Sequence, residues 1–190
     1  GASRGAGCRL AVLAVCLAAT ATTVVLAGWD SASSAVMRDI GAEGQIGLVL
    51  AVWGLGSLIG GLLYGALHRP ISAFWLLAGL AAATFPMALA SSTVQLAASG
   101  FVAGLLCAPT ITATIDQASR IVPAQVRGEA MGWHGSFMTT GGAVGAPLAG
   151  LAIDRGGPGA GFVVVAAVGV VVAALGLTAV SVRRATASAT

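Results

Sequence analysis

The chain is 190 residues long, with 57% hydrophobic residues, 8% charged residues and a mean hydropathy of +0.97. A water-soluble domain carries roughly 25% charged residues, so there is too little polar surface here to coat a soluble globule. The same arithmetic excludes a disordered chain, a disulfide scaffold and a nucleic-acid binder, and a formal charge of +3 whose basic side is all arginine leaves a membrane protein.

A hydrocarbon core about 30 Å thick is crossed by roughly 20 apolar helical residues. Runs of this kind, punctuated by MRDIGAEG, HRP, SST, RIVP and DRGGPG, predict an all-α polytopic bundle of six transmembrane helices. The spans fall at about 10–37, 45–67, 71–90, 94–119, 125–153 and 161–182, in a single domain over 1–190. A secretory signal is the competing reading of the first run, since Arg4 and Arg9 precede it. The run does not stop after a short apolar core and carries no A-x-A cleavage site, so a retained helix is expected. On a wheel of 100° per residue, Cys16, Thr20, Thr23, Ala27, Asp30, Ser31 and Ser34 share one of its faces. Asp30 comes 21 residues after Arg9, about 31 Å at the helical rise, which predicts a place near the outer interface.

The second span carries Trp53, Ser57, Gly60 and Tyr64 on one stripe and Gly54, Gly61 and Gly65 on another, with GxxxG spacings at Gly56 to Gly60 and Gly61 to Gly65. The third is dominated by Ala, Leu and Phe, with only Ser72 and Thr84 as hydroxyls. The fourth aligns Ser99, Thr110, Thr114 and Gln117, the fifth aligns Trp133, Ser136, Thr140 and Pro147, and the sixth has no hydroxyl before Thr178. Four helices with a polar seam predict a wet cavity lined by Thr20, Thr23, Asp30, Ser34, Trp53, Ser57, Tyr64, Ser99, Thr110, Thr114, Gln117, Trp133, Ser136 and Thr140, shielded from lipid by the third and sixth helices. The competing reading has each hydroxyl bonding its own i−4 carbonyl or a neighbouring helix. That reading has the edge for any single residue, but it does not account for the sorting of seams onto four helices.

Close helix packing is expected at Gly61, Gly65, Gly100, Gly104, Gly141 and Gly145, and local kinks at Pro86, Pro109 and Pro147. His134 falls roughly 130° from the Ser136 and Thr140 seam, which predicts packing against a neighbouring helix rather than a proton site in the cavity.

Arg4, Arg9, Arg69, Arg120, Arg127, Arg183 and Arg184 fall in the tails and in the second and fourth loops, against Arg38 and Arg155 in the other three. This positive-inside bias predicts that both termini are cytoplasmic. At that surface Arg69, Asp116, Arg127 and Glu129 are expected to form a gate latch, with Arg120 four residues from Asp116; the competing reading treats them as interfacial charges worth little. Cys8, Cys16 and Cys107 have no metal spacing and the two histidines lie 66 positions apart, so no metal, cofactor or catalytic residue is expected.

DQASRIVPAQVRGEAMG at 116–132, GGAVGAPLAG at 141–150 with the LAIDRGG that follows, and GGLLYGALHRP at 60–70 resemble the C-terminal six-helix half of a major facilitator superfamily transporter. The resemblance implies a fold of two six-helix halves rocking around a midplane cavity, with the first, second, fourth and fifth helices of each half lining it. Its implied partner is an N-terminal six-helix half, in the same chain or in a second one. Gly1 is not an initiator residue and no second half follows, so a fragment is expected.

The function expected is a bacterial inner-membrane secondary transporter, a proton-coupled antiporter for efflux of a small organic compound. Hydroxyls with Trp53, Tyr64 and Trp133 favour a neutral or aromatic substrate over a phosphate or dicarboxylate. Direction and proton coupling rest on the resemblance alone. The alternatives are a sugar transporter of the same superfamily and a six-helix membrane scaffold or partner subunit that moves no solute.

Overall fold

Backbone N–H and C=O groups in a bilayer must be satisfied within their own segment, which drives every apolar run of this chain to helix. The computed structural model describes the backbone of residues 2–67 and 70–188 and the side chains of 10–67 and 70–182. Among these residues, six α-helices follow one another without a strand: α1 (Ala2–Asp39), α2 (Ile46–Ala66), α3 (Ala73–Thr84), α4 (Thr93–Ile121), α5 (Arg127–Gly156) and α6 (Pro158–Ser188). Stretches at Leu10–Asp39, Glu43–Ala66, Thr93–Ile121, Ala124–Gly156 and Pro158–Val182 are long and apolar enough to cross a membrane.

The third run departs from a plain span. Pro86 lacks the N–H that an α-turn needs, so the α-helix stops at Thr84 and the chain continues as a 3-10 turn over Phe85–Leu89. Twelve residues at 1.5 Å and five at the longer 3-10 rise of 2.0 Å together reach about 28 Å, still close to the hydrocarbon thickness. Pro109 and Pro147, by contrast, sit inside unbroken helices. At the start of α4 the Ser92 hydroxyl accepts from the Gln95 N–H at 3.3 Å while Gln95 Oε1 accepts from the Ser91 N–H at 3.0 Å, a reciprocal cap. Between α5 and α6 a single residue makes the reversal: Gly157 takes φ +81°, donates to the Ile153 carbonyl at 2.9 Å, and is followed by Pro158 in the first turn of α6.

Two helices form the centre. α1 lies against α5, α6 and α4; α4 lies against α2, α3 and α1; α3 leans on α6, and α2 rests almost wholly on α4. Accordingly α1 and α4 are the most buried long spans, and α2 and α5 the least. The main core closes around Trp29 of α1, whose indole N–H points at the Met87 sulfur 3.0 Å away and whose ring stacks on Trp53 of α2 with centroids 5.1 Å apart.

Glycines decide how near these helices come. A Cβ on Gly56 or Gly60 of α2 would strike the backbone of Phe101 or Leu105, and one on Gly104 would strike the Trp53 carbonyl. On the other side, Gly141 and Gly145 of α5 lie against the backbone of Thr20 and Val24 of α1. The α2–α4 contact therefore runs through Gly56 and Gly60 and not through the ridge of Gly61 and Gly65. Gly61 meets only the Ala108 methyl, Gly65 has nothing within 4 Å, and Gly100 makes ordinary contact with Trp29 at 3.5 Å. The expected division of labour also shifts. α3 buries Phe74, Leu76, Leu77, Leu80 and Ala81, leaving Trp75 exposed, whereas α6 presents Val163, Val170, Val171 and Leu175 outward.

Candidate functional site

Each face of α1 meets something different. Gly28 and Ala32 meet Val165 and Gly161 of α6, Trp29 meets Gly100 of α4, and Thr20, Thr23 and Val24 meet α5. At 100° per residue Asp30 falls between the α4-facing and α5-facing sides, and it stays exposed there together with Ser34, whose hydroxyl donates to the Asp30 carbonyl at 2.9 Å. Asp30 lies about 13 Å before the end of α1, within the apolar stretch Leu10–Asp39. An ionisable group within such a stretch is costly unless it faces a polar space, which makes it a functional candidate.

Not every seam residue reaches such a space. The Thr20 hydroxyl lies 3.1 Å from the carbonyls of both Cys16 and Phe137 on α5, its one proton shared between the two helices, whereas Thr23 donates to the Thr20 carbonyl of its own helix at 3.0 Å and packs against Gly141. Thr110 and Thr114 are fully buried. Thr110 bonds its own Leu106 carbonyl, and Thr114 donates to the Ile111 carbonyl at 2.7 Å. Ser99 is part-buried and bonds the Gln95 carbonyl at 2.7 Å. Trp53 is half-buried against Trp29, and Ser57 lies within hydrogen-bonding reach of the Cys107 thiol of α4. Gln117 is half-buried, while Trp133, Ser136 and Thr140 lie exposed along α5.

α4 and α5 touch sparingly, and their buried polar link is His134, whose Nε2 lies 3.1 Å from the Thr114 hydroxyl, a second and exposed link being made by Arg127 at the start of α5. A hydroxyl has one proton, and Thr114 gives it to Ile111; His134 therefore donates through Nε2. The histidine holds two helices together rather than facing a polar space, as its wheel position indicated.

At the end of the bundle that carries the α4–α5 turn, the charges pair differently from the expected latch. Arg120 Nε donates to both Asp116 carboxylate oxygens, at 2.8 and 2.9 Å, one helical turn apart. Arg127 does not reach Asp116; it donates to the Ser119 carbonyl at 3.2 Å and so ties the start of α5 to the last turn of α4. The half-exposed Tyr64 hydroxyl, 3.5 Å from the Ile71 carbonyl, lies within electrostatic reach of the Asp116–Arg120 pair. Arg69 lies outside the described residues.

Glu129 is exposed and borders a cavity of about 630 Å³ between the first turns of α5 and the N-terminal half of α1. Val12, Leu13 and Cys16 wall it on one side, and Glu129, Trp133 and Phe137, spaced by four residues, wall it on the other. Folding thus unites Glu129 and Trp133, which the sequence placed in two different sites. The partnership of Trp29 with Trp53 was also missed: Trp29 lies off the polar face of α1, and only its size hinted at a core role. Among the described residues no three His, Cys, Asp or Glu side chains are placed to share a metal ion.

A search of curated proteins returns no match. The family profile of the Major Facilitator Superfamily matches residues 7–190. Six apolar helices built around two central ones, together with a family match over nearly the whole chain, place this multi-pass membrane protein in the Major Facilitator Superfamily of transporters.

Proposed function

We propose that the chain is the C-terminal six-helix half of a proton-coupled antiporter of a bacterial inner membrane, exporting a small neutral or aromatic organic compound, with both termini cytoplasmic. The observation that supports this reading most directly is the exposed wall of Asp30 and Ser34 on α1, inside a span and turned toward the sparse α4–α5 junction. Asp30 is the candidate proton carrier and Ser34 the hydroxyl beside it for an uncharged solute, while Ser136 and Thr140 stand on α5 at the level of Cys16 and Thr20, about 15 Å nearer the start of α1, further along the same path. The outward leucines of α2, among them Leu55, Leu58 and Leu62, offer a face for the N-terminal half, in the same chain or in a second one. Seven of the nine arginines on one side carry the orientation.

Proteoliposomes holding the full-length protein and an imposed proton gradient test the reading. Accumulation of neutral aromatic solutes that follows the gradient, and disappears in Asp30→Asn, is the expected result. Movement of sugars in place of aromatics would favour the sugar-transporter alternative, and solute flux indifferent to the gradient would remove the proton coupling. A scaffold that moves nothing draws its support from Thr22, Thr84, Thr110 and Thr114, four buried hydroxyls satisfied by their own helices.

A further inference from the structure

A second cavity, of about 410 Å³, opens between the last turns of α5 and the first turns of α6, beside the Gly157–Pro158 reversal. Leu148, Leu151 and Ala152 wall it on α5, Ala160 and Val164 wall it on α6, and Arg155 stands at its rim. One stretch of membrane-crossing length closes at Gly156 and the next opens at Pro158, so Arg155 sits where hydrocarbon gives way to headgroups. From Arg155 back to Leu148 the groove runs about 10 Å into the apolar stretch. Both walls then continue on the same helical faces as exposed apolar side chains, Val144 four residues before Leu148, and Val171 and Leu175 beyond Val164. An acyl chain would lie against apolar atoms along this whole track.

Arg155 supplies the charge. It is exposed, and although all six acids of the chain lie among the described residues, it forms an ion pair with none of them. Asp154 falls about 100° away around the helix and is not among the lining residues. A guanidinium with its donors free matches a phosphate, which it can hold by charge-assisted hydrogen bonds. A zwitterionic headgroup would bring an ammonium as well, and the lining has no carboxylate to meet it.

We propose that this groove holds an anionic phospholipid, its phosphate on Arg155 and one acyl chain laid between α5 and α6 along Leu148, Leu151 and Val164. The site is separate from the Asp30 wall, and lipid binding needs no movement of solute. Success or failure here is therefore independent of the transport assay.

The test is native mass spectrometry of the delipidated full-length protein titrated with phosphatidylglycerol, with phosphatidylcholine of the same chains as comparator. Saturable binding of phosphatidylglycerol, several-fold tighter than that of phosphatidylcholine, is expected. Arg155→Gln should weaken it about fivefold, the worth of one arginine at an anionic lipid surface, and Arg155→Lys should keep most of the affinity. Ala152→Phe, which fills the groove and leaves the charge in place, should weaken both lipids. Arg38→Gln, at an exposed arginine on the same end of the bundle and outside the groove, should leave both unchanged. Glycerol phosphate, which has the charge without the chains, should not displace the lipid. Wild-type affinity in Arg155→Gln, the result expected if a second six-helix half covers the groove, overturns the proposal. An equal loss in Arg38→Gln, or displacement by glycerol phosphate, overturns it too.

Discussion

Gly60 and Ser33 sit in the same bundle under opposite constraints. At Gly60 an added methyl has only the Leu105 backbone to displace, and backbone cannot swing aside as a side chain can. Gly60→Ala is therefore expected to lower stability by about 1–3 kcal/mol, while Gly65→Ala, with open space around it, leaves the melting temperature in detergent unchanged. The Ser33 hydroxyl is fully buried and makes no hydrogen bond among the described residues, so Ser33→Ala should raise stability by about 1 kcal/mol by removing an unmet polar atom. Thr114→Val should act the other way. It strands the buried His134 donor and is expected to cost about 1–3 kcal/mol, more than Thr110→Val, whose hydroxyl bonds only its own helix. In a transport assay His134→Ala should leave the pH profile unchanged, because that ring joins α4 to α5 and faces no polar space; loss of proton coupling in that variant would contradict the assignment. The place of His134 was legible from the helical wheel because a lone direction is all that a packing prediction needs. The choice between Gly60 and Gly61 was not, since both stripes have the same spacing and only the partner helix tells them apart.

Helix ends follow local chemistry closely: the Ser92 cap, the Gly157–Pro158 reversal and the Pro86 break each lie where their residue types dictate. Pairing between helix ends is less local. Asp116 has Arg120 on its own helix one turn away, and the short reach of that pair wins over Arg127 across the turn. Reversing both members, Asp116→Arg with Arg120→Asp, should restore transport lost in either single reversal, whereas reversing Asp116 with Arg127 should not. The pair is exposed, so melting temperatures should move little in any of these variants, and the readout is the transport rate.

For the whole molecule, accessibility is the property to measure. In a Cys8→Ser background, with native Cys16 and Cys107 buried, single cysteines at Asp30, Ser34, Ser136 and Thr140 should react with a membrane-impermeant thiol reagent, and cysteines at Thr110 and Ala103 should not. Protection of the first group would remove the basis for a wet path along α1 and α5. By itself, the amino-acid sequence determined that this protein is built of apolar helices of membrane-spanning length and roughly where along the chain each one lies. Those properties depend on composition, span length and caps, all of which act over one or two helical turns. Tertiary structure alone decided which seams stay open and which are sealed, that Thr20 reaches the Phe137 carbonyl of α5, that Trp29 stacks on Trp53, and that Val12, Leu13 and Cys16 of α1 close a cavity against Glu129 and Trp133. A helical wheel gives a residue its direction but not what stands opposite, and in a bundle held by close backbone contacts the opposite helix settles whether a hydroxyl meets water, a carbonyl or a neighbouring ring.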